Sequence, residues 1–276
     1  MKARSSDLRR SAEEISDLYI EFDGQQLAVG TDVPEMREFL ADAYSAMLVP
    51  VQREGVGRLE FVRRGSGFEV RGGRERELAA PLRFLFESIR AEVLYCFITA
   101  RRDLMWMHAG AAERAGRAVI FAGPSGNGKS TMVTLLCELG WRFLSDDIAP
   151  IRMNADEVLP FPESPRRRIH PGEVFPPERL ALLDRESVVI EAELIREEAA
   201  PIGGIVFPVF RGGATAGLER VTAGEAALKL IRDCTNFADH KAAAVARAAA
   251  LAQTIPVYEL TYSSGRDAQA LLNSRL

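Results

Sequence analysis

The sequence predicts an α/β protein, with a small N-terminal α+β domain ahead of a larger α/β domain built around a glycine-rich loop. Three observations carry that prediction. Residues 17–73 hold short strand patterns around one helical segment, and residues 104–276 alternate apolar strand runs with helical spacing. Where one such strand meets a helix stands Gly123-Pro-Ser-Gly-Asn-Gly-Lys-Ser130. It satisfies G-x-x-x-x-G-K-[ST] in the strand-before, helix-after context that pattern requires.

The bulk properties exclude several classes. With 276 residues, the chain has room for one large or two smaller domains. Its formal charge is −4, a poor match to nonspecific duplex binding, which needs clustered Lys and Arg to displace counterions. No nucleic-acid partner is expected. Cys96, Cys137 and Cys234 are far apart with no CxxC pair, so they form no metal or disulfide framework, and Cys96 and Cys137, in apolar helical patterns, read as buried thiols. The charged start MKARSSDLRRSAEEISD has no apolar stretch of a signal peptide, and no apolar run approaches the ~18 residues of a membrane span. A cytoplasmic protein with no membrane partner is the expectation.

Element by element, Asp17–Phe22 and Gln26–Val29 flank Asp23-Gly24, a hairpin signal. Val33–Leu48 reads as a helix with Pro34 in its first turn. Arg58–Arg63 and Gly67–Arg71 alternate as strands before the break at Gly72-Gly73-Arg74. Residues 1–77 form the accessory domain in this reading. The segment 78–103 forms a linking helix, with Leu82, Leu85, Phe86, Ile89, Val93 and Phe97 at helical spacing. The second domain, 104–276, opens with strand-like runs at Met105–Ala111 and Ala118–Ala122, separated by Glu113–Gly116. A helix from Lys129 to Glu138 stops at Gly140, and Arg142–Ser145 is a strand, with Ile148–Arg152 continuing the sheet. Residues 156–185 are Pro-rich. Gly204–Val209 and Val257–Tyr262 read as strands, and Ala223–Cys234, His240–Gln253 and Asp267–Leu272 as helices.

The loop's residue types suit one task. Gly126 and Gly128 let the backbone fold so that several N–H groups point inward with no side chain in the way of a phosphate. The helix that follows presents its free N–H groups and positive dipole end to the anion. Lys129 is placed to reach β- and γ-phosphate oxygens, and the Ser130 hydroxyl is the expected magnesium ligand. Gly123, Pro124, Ser125, Gly126, Asn127, Gly128, Lys129, Ser130 and Thr131 are therefore the candidate nucleotide-binding residues. The motif alone leaves kinase, switch and motor open.

Asp146-Asp147 ends the strand Arg142–Ser145. A carboxylate there can hold magnesium, directly or through water. A second can accept the proton of an attacking hydroxyl. The bland alternative is a solvated turn. His108, in Trp106-Met107-His108-Ala109-Gly110, is one of three histidines, and by itself reads more readily as a structural histidine than as a catalytic one.

Taken together, His108-x-Gly110, the loop 123–130 and Leu144-Ser-Asp-Asp147 resemble, in residue type and spacing, the catalytic domain of the HPr serine kinase/phosphorylase family. That resemblance implies a P-loop kinase domain of the HPr kinase/phosphoenolpyruvate carboxykinase-like type, with ATP and Mg2+ as cofactors. More closely, the chain is similar to shorter HPr-kinase-related proteins found near peptide-modification genes. Some of those, like lasso peptide kinases, phosphorylate a serine of a ribosomal peptide precursor. The partner implied is a peptide or small-protein substrate, and a homo-oligomer stays open. By resemblance Asp146 is the proton acceptor, Asp147 supports it or the metal together with Ser130, Lys129 binds phosphates, and His108 assists near the transferred group. The family's later metal-binding glutamate segment has no match here, so none of Glu191, Glu193, Glu197 and Glu198 is assigned.

Arg166-Arg167-Arg168 with His170 form a basic cluster that either grips phosphate or an acidic acceptor, or lies on a solvated loop. Trp106 and Trp141 are core or adenine-stacking residues. A small-molecule kinase, and a nucleotide-dependent binding or switch protein that transfers nothing, remain the rival readings.

Overall fold

A computed structural model describes residues 16–50, 55–65, 67–74, 76–78, 82–124, 126–168, 185–188 and 190–276. The described residues up to Ala100 form one compact unit and those from Arg101 another.

In the first unit, β1 (Ser16–Phe22) and β2 (Gln25–Thr31) form an antiparallel hairpin. Its turn residues Asp23 and Gly24 have φ of 46° and 77°, the left-handed pair that a two-residue turn matched to strand twist demands. From β2 the chain crosses through α1 (Pro34–Ala43) to β3 (Gly55–Arg64), which pairs with β2 in parallel. β4 (Gly67–Arg71) and β5 (Arg76–Leu78) follow antiparallel, so the five strands lie in sequence order. Strand β5 lies beyond the break expected at Gly72–Arg74.

The segment 78–103, read as a linking helix, contains α2 (Leu82–Ala100). Phe86, Ile89, Val93 and Phe97 of α2 are buried in the first unit's core. Phe86 stacks on Phe39 at 4.3 Å, and Phe97 meets Phe22 edge-on at 5.8 Å. The buried Glu92 is paired within the same unit, accepting from the Arg74 backbone N–H at 3.0 Å and from Arg74 Nε at 3.1 Å.

The second unit is a sheet with helices on both faces. Its strands are β6 (Leu104–Met107), β7 (Ala109–Arg114), β8 (Arg117–Ala122), β9 (Arg142–Ser145), β10 (Ala149–Arg152), β11 (Glu157–Val158), β12 (Arg166–Arg168), β13 (Arg185–Ser187), β14 (Ala200–Phe210), β15 (Gly217–Arg220) and β16 (Val257–Tyr262). Along the sheet the order is β6-β10-β11-β14-β8-β7-β9, with β16 paired to β14 and β15 to β16. β8, β14 and β16 run parallel. β12 and β13 form a separate two-stranded ribbon. His170 lies outside the described residues, and Arg167 and Arg168 are described in backbone alone.

Strand β8 shows how the layers arise. Ala118, Ile120 and Ala122 face one core; Val119 and Phe121 face the other, the two-residue period of a strand buried on both sides. The first core is closed by α4 (Ala223–Arg232) and α6 (Ala242–Thr254), with the single turn α5 (Phe237–His240) between them contributing no buried residue. Ala244, Ala248 and Ala252 of α6 are buried, and these small side chains let α6 lie close to α4. The second core is closed by α3 (Lys129–Glu138) and α7 (Gly265–Arg275) through Met132, Leu136 and Leu272. Thr222-x-x-Glu225 caps α4, the Thr222 hydroxyl accepting from the Glu225 N–H at 3.4 Å.

The strand expected over 105–111 is two strands broken at His108. β6 pairs with β10, whereas β7 pairs with β8 and β9, so the chain changes partners between them. Among the described residues no helix is long and apolar enough to cross a membrane.

Candidate functional site

Sheet register brings the candidate residues to one edge. β7 lies antiparallel between β8 and β9, with Ala109 opposite Ala122 and Ala111 opposite Ser145. The residue before β7, His108, the residue after β8, Gly123, and the residue after β9, Asp146, therefore all emerge on the same side. Gly110 makes this crowding feasible. A Cβ there would lie 2.8 Å from Val133 Cγ2 and 3.5 Å from Asp146 Oδ1, so bare backbone lets α3 and the acidic turn close over β7.

Between β8 and α3 the loop turns on glycines with φ of 128° at Gly123, 90° at Gly126 and 85° at Gly128. Gly128 is the N-cap of α3 and offers no side-chain cap, which leaves first-turn N–H groups as donors for an anion. Its φ disfavours any side chain there, and a Cβ would overlap the Tyr262 hydroxyl unless that ring shifted. Pro124, Gly126 and Thr131 are exposed, while Asn127 and Ser130 are half-buried. Ser125 lies outside the described residues.

Lys129 is 5% exposed. Its ammonium donates to the Gly123 carbonyl at 2.8 Å and the Pro124 carbonyl at 3.3 Å, and sits 3.3 Å from His108 Nε2. His108 Nδ1 lies 3.0 Å from the Asp147 carbonyl. These contacts select a tautomer: a carbonyl can only accept, so Nδ1 carries the proton, and Nε2 is left to accept from Lys129. His108 thus joins Lys129 to the acidic turn. Burial pushes the Lys129 pKa below its ordinary value, against the pull of the Asp147, Asp233 and Asp146 carboxylates, with Arg232 adding to the depression.

Asp146 is buried at 3% exposure and Asp147 is half-buried. Asp147 has φ of 63°, in the left-handed region that Asp tolerates better than most residues, and the Ile148 N–H closes the turn on the Asp146 carbonyl at 2.8 Å. The turn holds the two side chains in different environments at one strand end.

Asp233 joins this group without a signal in the sequence reading, which continued a helix through Cys234. In the structure α4 ends at Arg232, and residues 233–236 dock against β6. The His108 N–H donates to the Asp233 carbonyl at 2.7 Å, and the Thr235 N–H to the Trp106 carbonyl at 2.7 Å. Asn236 accepts from the Trp106 N–H at 3.0 Å and donates to the Leu104 carbonyl at 2.9 Å. The Asp233 carboxylate is buried and accepts from Arg232 Nε at 2.9 Å. The run Asp-Cys-Thr-Asn, poor in helix formers, is the clue that could have exposed it.

Among the described residues no three His, Cys, Asp or Glu side chains gather to hold a metal by themselves. Ser130 and Asp147, both half-buried, each carry oxygen donors of the type a hard cation takes. Trp106 and Trp141 are 0% and 2% exposed and belong to the core, so neither can stack a base. Glu191, Glu193, Glu197 and Glu198 are exposed. Arg166 is buried.

No protein-family model matches the chain, and no curated protein does either. Among solved structures, the HPr(Ser) kinase/phosphatase from Coxiella burnetii is similar at 10% identity and a TM-score of 0.32, over 62% of this chain and 95% of that one. A likeness so distant carries nothing about the chemistry, which rests on the residues.

Proposed function

We propose that the protein is a Mg-ATP-dependent phosphotransferase that moves the γ-phosphoryl group to a hydroxyl, a serine of a peptide or small protein. The observation that supports it most is the convergence of Lys129, His108 and the buried Asp146 at the open end of β8, beside a loop with left-handed glycines and the free N–H groups of α3.

In this reading the loop and the α3 N-terminus bind the phosphate chain. Lys129 exchanges its carbonyl acceptors for β- and γ-phosphate oxygens. Ser130 and Asp147 would hold magnesium, which neutralises phosphate charge. The acceptor hydroxyl attacks phosphorus in line with the bond to the leaving oxygen, its proton passes to the Asp146 carboxylate, and ADP leaves. His108 holds Lys129 and the acidic turn in place, so it is a positioning residue here. The serine acceptor rests on the resemblance of the motif spacing to HPr-kinase-related proteins.

Two substitutions separate binding from transfer. Lys129→Ala should weaken ATP binding by about 10- to 100-fold, the worth of one or two charge-assisted hydrogen bonds. Equal affinity by calorimetry sinks the loop assignment. Asp146→Asn should keep ATP affinity and lower transfer by about 10²- to 10⁴-fold. Transfer at the wild-type rate removes Asp146 as the base.

A further inference from the structure

Beyond the end of β8, the sheet does not stop. β14 pairs with β8 only as far as Val206, opposite Phe121, and then runs on to Phe210, in register with β16 to its last residue, Tyr262. Alternation places Phe210 on the same face as Val206, and Tyr262 on that of Leu260. Val206, Leu260 and Tyr262 belong to the core under α3, so Phe210 stands on the α3 side of the sheet. The two rings meet edge to face at 5.5 Å. Tyr262 is nearly buried, with its hydroxyl against Gly128 at the start of α3. Phe210 is 58% exposed.

This is an aromatic step one ring away from the helix N-terminus that would bind the phosphate chain. It is also braced. The Arg211 N–H donates to the Tyr262 carbonyl at 2.9 Å, and the Ser263 hydroxyl to the Ala214 carbonyl at 2.7 Å, which pins the turn after β14. Phe210 therefore presents an exposed ring on a hydrogen-bonded support. Trp106 and Trp141, the other aromatic candidates for stacking, are inside the core.

We infer that Phe210, backed by Tyr262, is the platform on which the purine base of the nucleotide stacks when its phosphates occupy the loop. The inference rests on the nucleotide reading of the loop and adds the residue that would make a nucleoside triphosphate a better ligand than bare polyphosphate. Stacking on one ring is base-tolerant and worth about tenfold in affinity.

Calorimetry with ATP and with inorganic tripolyphosphate, both with magnesium, tests the platform and the loop separately. Wild-type protein should bind ATP about tenfold more tightly than tripolyphosphate. Phe210→Ala should erase that advantage, weakening ATP about tenfold while tripolyphosphate stays within about twofold, and Phe210→Trp should restore it. An ATP affinity unchanged in Phe210→Ala overturns the platform, as does an equal loss for both ligands. If wild-type protein binds neither ligand, the loop reading fails and the platform falls with it. If it binds tripolyphosphate as tightly as ATP, the loop stands and the platform alone is refuted.

Discussion

Lys129 is held at a cost to stability. A buried ammonium with a lowered pKa gives up its proton more readily in the folded chain than in the unfolded one. The unfolded state therefore binds more protons, and stability rises with pH through the interval between the lowered value and the ordinary 10.5. Lys129→Met should remove this dependence and leave a protein at least as stable at neutral pH, though unable to bind ATP tightly. Urea unfolding at pH 7 and pH 10 checks both signs. A clearly less stable Met variant at pH 7 would mean that the three contacts of the ammonium outweigh its desolvation. Residue types at this scale are legible in sequence where the signal is local: the glycines, Lys129 and Ser130 lie in one short stretch. The tautomer of His108 is not legible, because its partners come from other elements, Lys129 from the start of α3 and Asp147 from the turn after β9.

At the scale of elements, the site depends on close approach. Gly128→Ala should cost about 2–4 kcal/mol, combining left-handed strain with overlap on the Tyr262 hydroxyl. Part of that loss should return in the double variant with Tyr262→Phe, which a double-mutant cycle by chemical denaturation would measure. No recovery would place the whole cost in backbone strain. A second element contact lies away from the site. Arg247 of α6, 8% exposed, donates to Asp156 Oδ1 at 2.8 Å, the Ala155 carbonyl at 2.6 Å and the Arg152 carbonyl at 3.0 Å, and so ties α6 to the turn after β10. Arg247→Ala should destabilise by about 2–4 kcal/mol through those lost bonds, read from the urea midpoint; a shift near zero would show the turn relaxing to water. Periodicity located β8, α3 and β16 because each carries an uninterrupted pattern, while Gly140 before it and Asp146-Asp147 after it bracketed the four-residue β9. It missed the break at His108 and the short strands β5 and β15. Partner exchange between β6 and β7 leaves no mark on hydropathy, and strands of three or four residues hardly establish a period. The same limit hid Asp233 and the Phe210–Tyr262 pair, which are set by pairing between segments distant in the chain.

For the molecule as a whole, Cys137 and Cys234 lie in the core of the second unit, whereas Cys96, expected to be buried, is half-buried on α2. Burial pushes Cys96 and Cys234 up to about 11 and Cys137 up to about 12. Thiolate is the reactive form, so native protein at pH 8 should react with iodoacetamide far more slowly than denatured protein, in which all three cysteines should label. Rapid labelling of the folded protein would point to local opening of one unit, and mass spectrometry of the labelled peptide would say which. The α/β class was open to inference from the pattern, whereas the sequence reading ends the first domain at residue 77 and treats 78–103 as a linking helix, because the packing of α2 into the first core depends on tertiary contacts.

The central claim is phosphoryl transfer to a hydroxyl. Its most direct test is incubation with γ-labelled ATP, magnesium and a peptide and small-protein fraction, followed by mass analysis and acid treatment. Transfer to a hydroxyl predicts acid-stable label on a serine with wild-type protein, lost in Asp146→Asn at unchanged ATP affinity. Label released only as inorganic phosphate, with the same yield from wild type and Asp146→Asn, would contradict it.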